Sequence, residues 1–395
     1  MNKNVKVSVL IPSFNSQDYI EQCVTSVINQ TLEDIEIICI DADSEDNTLA
    51  ILEELSDSDE RIRIIKSDKR SYGHQMNLGF SAANGKYISI VESDDFIDKK
   101  MLEDLFNLAE KYDSDITKAT FYHYYDDEAE PIMKINNAKR LLADIESTFV
   151  IEEHPDFLGG HPSIWSGIYK TSFIRNNNIL FLEEPGAAWV DNPFFHETAL
   201  LAERILYRHV PYYFYRETNM NSSSNNLPDI TIPIKRMIEC LEVIEKCNCQ
   251  DVEVIKVIYK RAFGYLSGVF RRDSTGQYTD LLLPYIQEML LMMDEDIVLQ
   301  LNRKMQTDYY KYSSPLHMLD KSNSQITISR DDLNLMIKEN DYLYSVIEKD
   351  AIENSKLKKK NRKLRKKLKV IKNSKSYKLG SFFAKPIRKL KRLFK

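Results

Sequence analysis

The sequence predicts an open α/β sheet of the doubly wound kind for its first 115 residues. Apolar runs suited to buried strands begin near residues 5, 35, 62 and 86, and amphipathic segments lie between them. The repeat of about 25 to 30 residues leaves room for crossover helices that join parallel strands. We therefore expect four parallel strands, with ligands bound beyond their carboxyl ends.

The predicted elements of this sheet alternate without interruption. The strands are KVSVLIPSF, IEIICID, RIRIIKS and KYISIVES. The helices are DYIEQCVTSVINQ, DNTLAILEEL, GHQMNLGFSAA and KKMLEDLFNLAEKY. In the first helix one face carries Ile20, Cys23, Val24, Val27 and Ile28, the spacing of a helix that packs on a sheet.

Residues 115 to 225 give a weaker pattern. ITKATFYHYY predicts a strand, SIWSGIYKTSFIRNNNI a strand and a short helix, and DNPFFHETALLAERI a helix. We expect Asn192 to cap this last helix and Pro193 to begin it, which would hold Asp191 just outside the helix. Residues 216–229 are rich in Ser and Asn and predict a loop, either closing over a site or serving as a linker.

The C-terminal part of the chain predicts helices and a basic tail. Residues 230–327 form a helical accessory region of three or four amphipathic helices, and 328–371 a coiled coil. The net charge is −6, although residues 355–395 contain 19 Lys and Arg and no Asp or Glu. The heptad core positions are Leu343, Leu357, Leu364 and Ile371, and Asn340, Ile347, Asn354, Asn361 and Leu368.

Repeated Asn at one heptad position favours a parallel homodimer, with a single solvated helix as the alternative. The basic segment 372–395 contains large apolar residues, which favours contact with an anionic membrane surface. Nucleic-acid binding is the weaker interpretation, because no recognised motif accompanies the charge.

The composition favours a cytoplasmic protein. The five cysteines are too few and irregular for a disulfide framework, and the Cys247–Cys249 pair has no second pair at zinc spacing. No apolar stretch reaches the length of a membrane span, and the sequence begins without a signal-peptide pattern.

Polar and acidic residues follow each of the four strands. These segments are PSFN (12–15), DADSED (41–46), KSDKRS (66–71) and ESDD (92–95). Since the carboxyl ends of parallel strands share one edge of a sheet, the four segments should converge there. By itself the ESDD segment is typical of a turn before a helix. Because it follows the fourth strand of the predicted sheet, it favours a ligand-binding site.

Two longer segments carry a family resemblance. They are VSVLIPSFNSQDYIEQCVTSVINQTLEDIEIICIDADSEDNT and MNLGFSAANGKYISIVESDDFID, with a looser match in GAAWVDNPFF and PYYFYRETNMNSSSNN. They resemble bacterial family 2 glycosyltransferases of the capsular and exopolysaccharide branch. The resemblance implies a GT-A fold, a Rossmann-like open mixed sheet flanked by helices, over residues 1–229.

It also implies inverting transfer of a sugar to a hydroxyl of a glycan, lipid-linked or polymer acceptor, from a nucleotide-diphosphate donor that we expect to be UDP-linked. For such a protein we expect a location on the inner face of the plasma membrane. The alternative is a membrane-associated scaffold without activity. A nucleotidyltransferase is disfavoured, because PSFN is not a glycine-rich phosphate loop.

The family's D-x-D acids, which hold Mg²⁺ or Mn²⁺ against the diphosphate, correspond here to Glu92 and Asp94. Asp95 is adjacent, and Ser93 is a further candidate to contact the nucleotide. Glu92 departs from the family's first Asp, although its longer arm could reach a metal through water. Carboxylate oxygens are the ligands that these hard cations prefer.

The resemblance implies a nucleotide-base site at the first two strands. Pro12, Phe14 and Asn15 would form its wall, with packing in the core as the alternative for Phe14. The family's base-binding Asp corresponds to Ala42, so its role would pass to a neighbour. We expect Asp41, or else Asp43, to take this role.

The family's catalytic base corresponds to Asp191. A positioned carboxylate typically accelerates such a step by about 10² to 10⁴-fold. Helix capping is the alternative role for this residue. Asp68, Gln75 and Asn77 are weaker candidates for contacts with the nucleotide or the sugar.

Overall fold

The computed structural model describes residues 5–127, 130–136, 147–187, 189–220, 227 and 229–313. All of them belong to one unit of the chain, Met1–His317. The predicted coiled coil and the basic tail 372–395 lie outside the described residues. The predicted domain boundaries stay predictions.

The first four strands are parallel neighbours, as predicted. They are β1 (Val7–Ser13), β2 (Ile35–Asp41), β3 (Ile62–Lys66) and β4 (Tyr87–Ile90). Every residue of β1 is buried, as expected for a parallel strand covered on both faces. The register pairs Ser13 with Asp41, so the carboxyl ends of β1 and β2 lie side by side.

The remaining strands make the sheet mixed, which confirms the predicted GT-A architecture. They are β5 (Phe96–Ile97), β6 (Ile116–Tyr125), β7 (Ile132–Ile135), β8 (Gly167–Lys170) and β9 (Ile205–Arg216). The strand order is β3-β2-β1-β4-β8-β6-β9-β5, with β7 paired to β6. Strand β8 is antiparallel to both β4 and β6.

Six helices accompany the described part of the sheet. They are α1 (Ile20–Ile28), α2 (Thr48–Ser58), α3 (Tyr72–Ala82), α4 (Met101–Tyr112), α5 (Thr171–Asn176) and α6 (Asp191–Leu201). In α1 the buried residues are Ile20, Cys23, Val24 and Val27, which confirms most of the predicted face. A short 3₁₀ turn covers Pro155–Gly159.

The start of α6 differs from the prediction. Asp191 is its first residue, and Val190 is the N-cap without any side-chain capping bond. The predicted cap at Asn192 is therefore wrong. Its amide Nδ2 donates instead to the Trp189 carbonyl oxygen and to Asp191 Oδ1.

Within the described residues, which end at 313, five helices follow the sheet, where three or four were predicted. They are α7 (Ile232–Lys246), α8 (Val252–Arg272), α9 (Thr279–Leu291), α10 (Glu295–Val298) and α11 (Arg303–Ser313). Helix α7 packs on α6, and α8 packs on the 3₁₀ turn, so both lie against the sheet domain. Among the described helices, none combines the length and the apolar character needed to cross a bilayer.

Candidate active site

A cavity of about 1700 Å³ lies at the carboxyl ends of β1 and β4. Its lining includes the ends of these strands, the segment before and at the start of α6, and one face of α8. The predicted site residues among its lining are Pro12, Phe14, Asn15, Gln75, Glu92, Ser93, Asp94 and Asp191.

The turn after β4 is fixed by the end of β9. Tyr213 Oη donates to Asp95 Oδ2 at 2.8 Å, and the backbone N–H of Arg216 donates to Asp95 Oδ1 at 2.7 Å. The Arg216 guanidinium donates to the Asp94 carbonyl oxygen at 2.8 Å. Asp95 is buried and lies outside the cavity lining. The structure therefore gives Asp95 a supporting contact with β9 in place of the predicted metal ligation.

Glu92 and Asp94 line the cavity. Tyr72 Oη donates to Glu92 Oε1 at 2.7 Å, and Asn219 Nδ2 donates to Asp94 Oδ2 at 2.8 Å. Burial raises the pKa of Glu92 to about 8, and the charges of Asp94 and Asp191 add to that rise. Burial likewise raises the pKa of Asp94. The two carboxylates are thus crowded at low dielectric, an environment that favours a bound cation.

A divalent cation fits these residues if the ligand completes its coordination. Among the described residues, no group of three Asp, Glu, His or Cys side chains is placed to hold a metal. Mg²⁺ commonly takes only one or two protein carboxylates and completes its shell with substrate phosphates and water. Glu92 and Asp94 can supply that share, so the site suits a cation that arrives with a diphosphate.

Asp191 also lines the cavity, at the first turn of α6. Its Oδ1 accepts from Asn192 Nδ2 at 3.1 Å. Asn192 Oδ1 in turn accepts from Arg261 Nη2 and from Tyr265 Oη, each at 2.8 Å. Burial raises the pKa of Asp191, whereas the charge of Arg261 opposes that rise. Helix α8 therefore fixes the neighbour that orients the candidate base.

The end of β1 forms an apolar wall. Phe14 is 42% exposed, unusual for a large aromatic side chain, and Pro12 lines the same side of the cavity. The Arg70 guanidinium carbon lies 5.1 Å from the centre of the Phe14 ring. Asn15 has a positive φ of 48°, and its side chain accepts from the Glu45 backbone N–H. An exposed ring beside a cation is a suitable surface for a flat heterocycle.

The role predicted for Asp41 is not supported. Its side chain is buried and accepts from Ser13 Oγ at 3.3 Å and from Ser44 Oγ at 2.6 Å. Ala42 lines the cavity, whereas Asp41 does not. Asp41 thus holds the strand ends together.

Three weaker candidates also lie away from the cavity lining. The Asp43 side chain is 82% exposed and pairs with Arg70 at 3.3 Å. Asp68 is 81% exposed and lies 2.9 Å from a nitrogen of His74. The Asn77 amide bonds the backbone of Phe181 in both directions, at 2.9 and 3.0 Å. Each of these contacts stabilises a loop.

Gln75 lines the cavity but is committed to the backbone. Its Nε2 donates to the carbonyl oxygens of Ser13 at 2.9 Å and Ile40 at 2.6 Å. The side chain therefore joins α3 to the ends of β1 and β2. These bonds fix the end of β1, the strand that Phe14 follows.

The cavity has an aromatic side that the sequence analysis does not predict. Trp165 stacks on Tyr215 with centroids 5.1 Å apart, and both line the cavity beside His161. Burial lowers the pKa of His161 to about 3, so this imidazole is neutral. Trp165 is 5% exposed and also stacks on Tyr213, with centroids 4.1 Å apart, so these rings form a packed wall of the cavity.

The face of α8 was also missed. The cavity lining includes Lys260, Arg261, Tyr265, Arg271 and Arg272 from this helix. Its amphipathic pattern predicts a helix with one buried face, but the partner of its polar face depends on tertiary packing.

A family profile described as Glycosyl transferase family 2 matches residues 8–169. The matched region contains β1 to β4 and the Glu92–Asp94 turn. Residues 8–169 are therefore similar to glycosyltransferase family 2. This match confirms the resemblance to family 2 glycosyltransferases that the sequence motifs predicted.

Two curated glycosyltransferases are similar to about half of this chain. The uncharacterized glycosyltransferase EpsJ of Bacillus subtilis strain 168 is 32% identical over 216 residues, covering 55% of this chain and 62% of EpsJ. Glycosyltransferase GlyG of Streptococcus pneumoniae serotype 4 is 27% identical, covering 53% of this chain and 70% of GlyG. The chain thus spans about three fifths of EpsJ.

A solved structure has a fold similar to that of the sheet domain and of part of the helical region that follows it. S. aureus TarS, residues 1–349 in complex with UDP-GlcNAc, superposes with a TM-score of 0.66 at 18% identity. The match covers 82% of this chain and 95% of that one. It therefore includes part of the helical region that follows the sheet.

Proposed function

We propose that the chain is an inverting glycosyltransferase that moves a sugar from a nucleotide-diphosphate donor to an acceptor hydroxyl. One observation carries the proposal: the carboxylates of Glu92, Asp94 and Asp191 line the same cavity. The charge of Asp191 adds to the raised pKa of Glu92, so the two groups are close enough to interact. The carboxylates proposed to face the leaving diphosphate and the carboxylate proposed as the base therefore line the same cavity.

Asp191 would act as the general base. As the acceptor oxygen bonds to the anomeric carbon, its proton passes to Asp191, and the bond from that carbon to the diphosphate oxygen breaks. The electron pair leaves with the diphosphate, and attack from the opposite face inverts the centre. Burial raises the pKa of Asp191, which strengthens it as a base.

The donor would lie against the β1 end. Phe14 and Pro12 supply a wall for the nucleotide base, and Glu92 and Asp94 lie where the diphosphate would follow. Mg²⁺ or Mn²⁺ held by these two carboxylates would neutralise charge on the leaving diphosphate. The TarS structure contains UDP-GlcNAc, which supports UDP as the first nucleotide to test.

We further propose a glycan, lipid-linked or polymer acceptor in surface polysaccharide synthesis. The basic residues of 372–395 would place the protein on the inner face of the plasma membrane, and residues 328–371 would pair two chains. The composition of these segments supports both points.

Donor hydrolysis tests the proposal without knowledge of the acceptor. The full chain is incubated with a panel of nucleotide-sugars and Mn²⁺, and nucleotide release and thermal shift are followed. We expect one donor to raise the melting temperature and to be hydrolysed slowly, with activity lost in EDTA.

Asp191→Asn should abolish hydrolysis and leave donor binding unchanged. Asp280→Asn, at an exposed position of α9, is the matched control and should retain both. If no nucleotide-sugar binds with or without metal, the proposal fails and a scaffold without activity is favoured. Hydrolysis that survives in Asp191→Asn would refute the role of this base.

A further inference from the structure

One face of α8 contributes positively charged side chains to the lining of the cavity. Lys260 and Arg261 lie at one end of this face, and Arg271 and Arg272 lie at the other. Steps of three or four residues keep positions on the same side of a helix. At 1.5 Å per residue, the 11 steps from Lys260 to Arg271 span about 16 Å. We call these residues and the positions between them the α8 face.

Two of the cations on this face, Lys260 and Arg271, lack a carboxylate partner among the described residues. Both side chains are exposed. Arg272 lies over the ring of Trp189, 5.4 Å from its centre. By contrast, Lys256 on the same helix pairs with Glu253 at 2.7 Å. The α8 face therefore keeps positive charge directed at the cavity.

Two glycines separate the charged ends. A Cβ atom added at Gly264 would meet nothing within 4 Å, and one at Gly268 would meet only the Arg271 guanidinium at 3.9 Å. Packing within the protein therefore does not require glycine at either position. Each glycine inside a helix costs about 1 kcal/mol relative to Ala. A bare backbone between two charged ends leaves room for a ligand to lie along the helix.

The α8 face lies on the side of the cavity where the acceptor would enter. Arg261 and Tyr265 bind Asn192, which is bonded to Asp191. A base must contact the incoming hydroxyl on the face of the sugar opposite the leaving group. The groups behind Asp191 therefore face the acceptor, and those at Glu92 and Asp94 face the donor.

We infer that the α8 face binds an anionic acceptor with negative groups spaced along its chain. The inference rests on the proposed transfer reaction, and it specifies the acceptor class for that reaction. Two charged ends about 16 Å apart suit an extended molecule better than a single small anion. Phosphodiester and carboxylate groups share this chemistry, since Arg and Lys bind both.

Binding of defined oligomers to the full chain tests the inference. The probes are a glycerol-phosphate oligomer, an oligogalacturonate and neutral maltohexaose, each titrated by calorimetry with and without UDP. We expect one or both anionic probes to bind and maltohexaose to bind far more weakly. The probe that binds more tightly identifies phosphate or carboxylate as the source of charge.

Three variants locate the binding. Lys260→Gln combined with Arg271→Gln should weaken the anionic probe by about tenfold, from roughly 0.7 kcal/mol per exposed pair. Lys99→Gln combined with Lys100→Gln removes the same charge from an exposed site outside the cavity and should change binding less than twofold. Gly264→Leu places a side chain between the two charged ends of the α8 face without changing the charge. It should weaken binding of the anionic probe and raise the melting temperature.

The basic residues of 355–395 are present in every variant, so differences among variants report α8 alone. Equal loss in both double variants, or unchanged binding in Gly264→Leu, would overturn the inference. A loss of UDP affinity in the Lys260 and Arg271 variant would also overturn it, by assigning these cations to the donor. Failure of UDP to bind the unmodified chain refutes the proposed function instead, whatever the oligomers do.

Discussion

Replacing Glu92 by Gln should stabilise the metal-free protein in alkali and leave it nearly unchanged in acid. Burial raises the pKa of Glu92 from 4.5 to about 8. The folded protein therefore holds this proton more tightly than the unfolded chain does. The stabilising contribution is complete below pH 4.5 and is lost as the pH rises through about 8. Above that pH the fold contains a buried charge that Gln lacks.

The size of the effect follows from the same values. One pKa unit corresponds to about 1.4 kcal/mol, so the rise to about 8 sets an upper limit of about 5 kcal/mol. Glu92 is partly open to the cavity, and solvent there reduces the penalty. A neutral Gln is also a weaker acceptor for Tyr72, which costs about 1 kcal/mol. We expect a net gain of about 2 kcal/mol at pH 9, or about 4 °C in melting temperature.

Thermal melts of both proteins in EDTA at pH 5 and pH 9 measure this difference. Glu21→Gln, at an exposed position in the first turn of α1, is the control and should show no gain. Addition of Mn²⁺ with UDP at pH 9 should narrow the gap, because a cation at Glu92 offsets its charge. A Glu92→Gln protein that melts at or below the unmodified protein at pH 9 would refute the reasoning. An equal gap at both pH values would refute it as well.

Three further predictions concern the framework around the cavity. Gly73→Ala should lower the melting temperature strongly, since its Cβ would lie 1.8 Å from the Leu182 carbonyl oxygen; a melt with unchanged midpoint would contradict this. Asp95→Asn should cost about 1–3 kcal/mol in urea unfolding, because an amide group replaces one of the two oxygens that accept from Tyr213 and Arg216, and should weaken donor binding through the displaced turn. Phe14→Ala should weaken UDP by about 1–3 kcal/mol in calorimetry, with stability unchanged, if the base stacks on this exposed ring.

The parallel half of the sheet was predictable because its strands are buried on both faces. Each of the strands β1, β2 and β4 is a nearly continuous apolar run, and polar segments mark where it ends. The strand β9 was not predicted. Its sequence, ILYRHVPYYFYR, contains Pro211, which lacks a backbone donor. The pairing with β6 shifts register around this point, between Ala119 and Phe121, so the alternation is interrupted.

The site was predictable only where a motif fixes both position and direction. Glu92, Asp94 and Asp191 line the cavity, as the resemblance implied. Asp41 does not, although it follows a strand in the same way, because the direction of a side chain at a strand end depends on its neighbours. Ser13 and Ser44 bind its carboxylate there. Adjacent positions in a turn therefore carry different roles that residue type alone does not separate.

The division of charge within the cavity explains why the helical region belongs to the site. The strand ends contribute carboxylates whose crowding favours a cation, and α8 contributes Lys260 and Arg271, which form no ion pair among the described residues. Asn192 connects the two sides, since it bonds Asp191 through its amide nitrogen and Arg261 through its oxygen. The candidate base is thus positioned by the helix that would also hold the acceptor. Recognition of the acceptor and orientation of the base would then depend on the same packing of α8 against the 3₁₀ turn and α6.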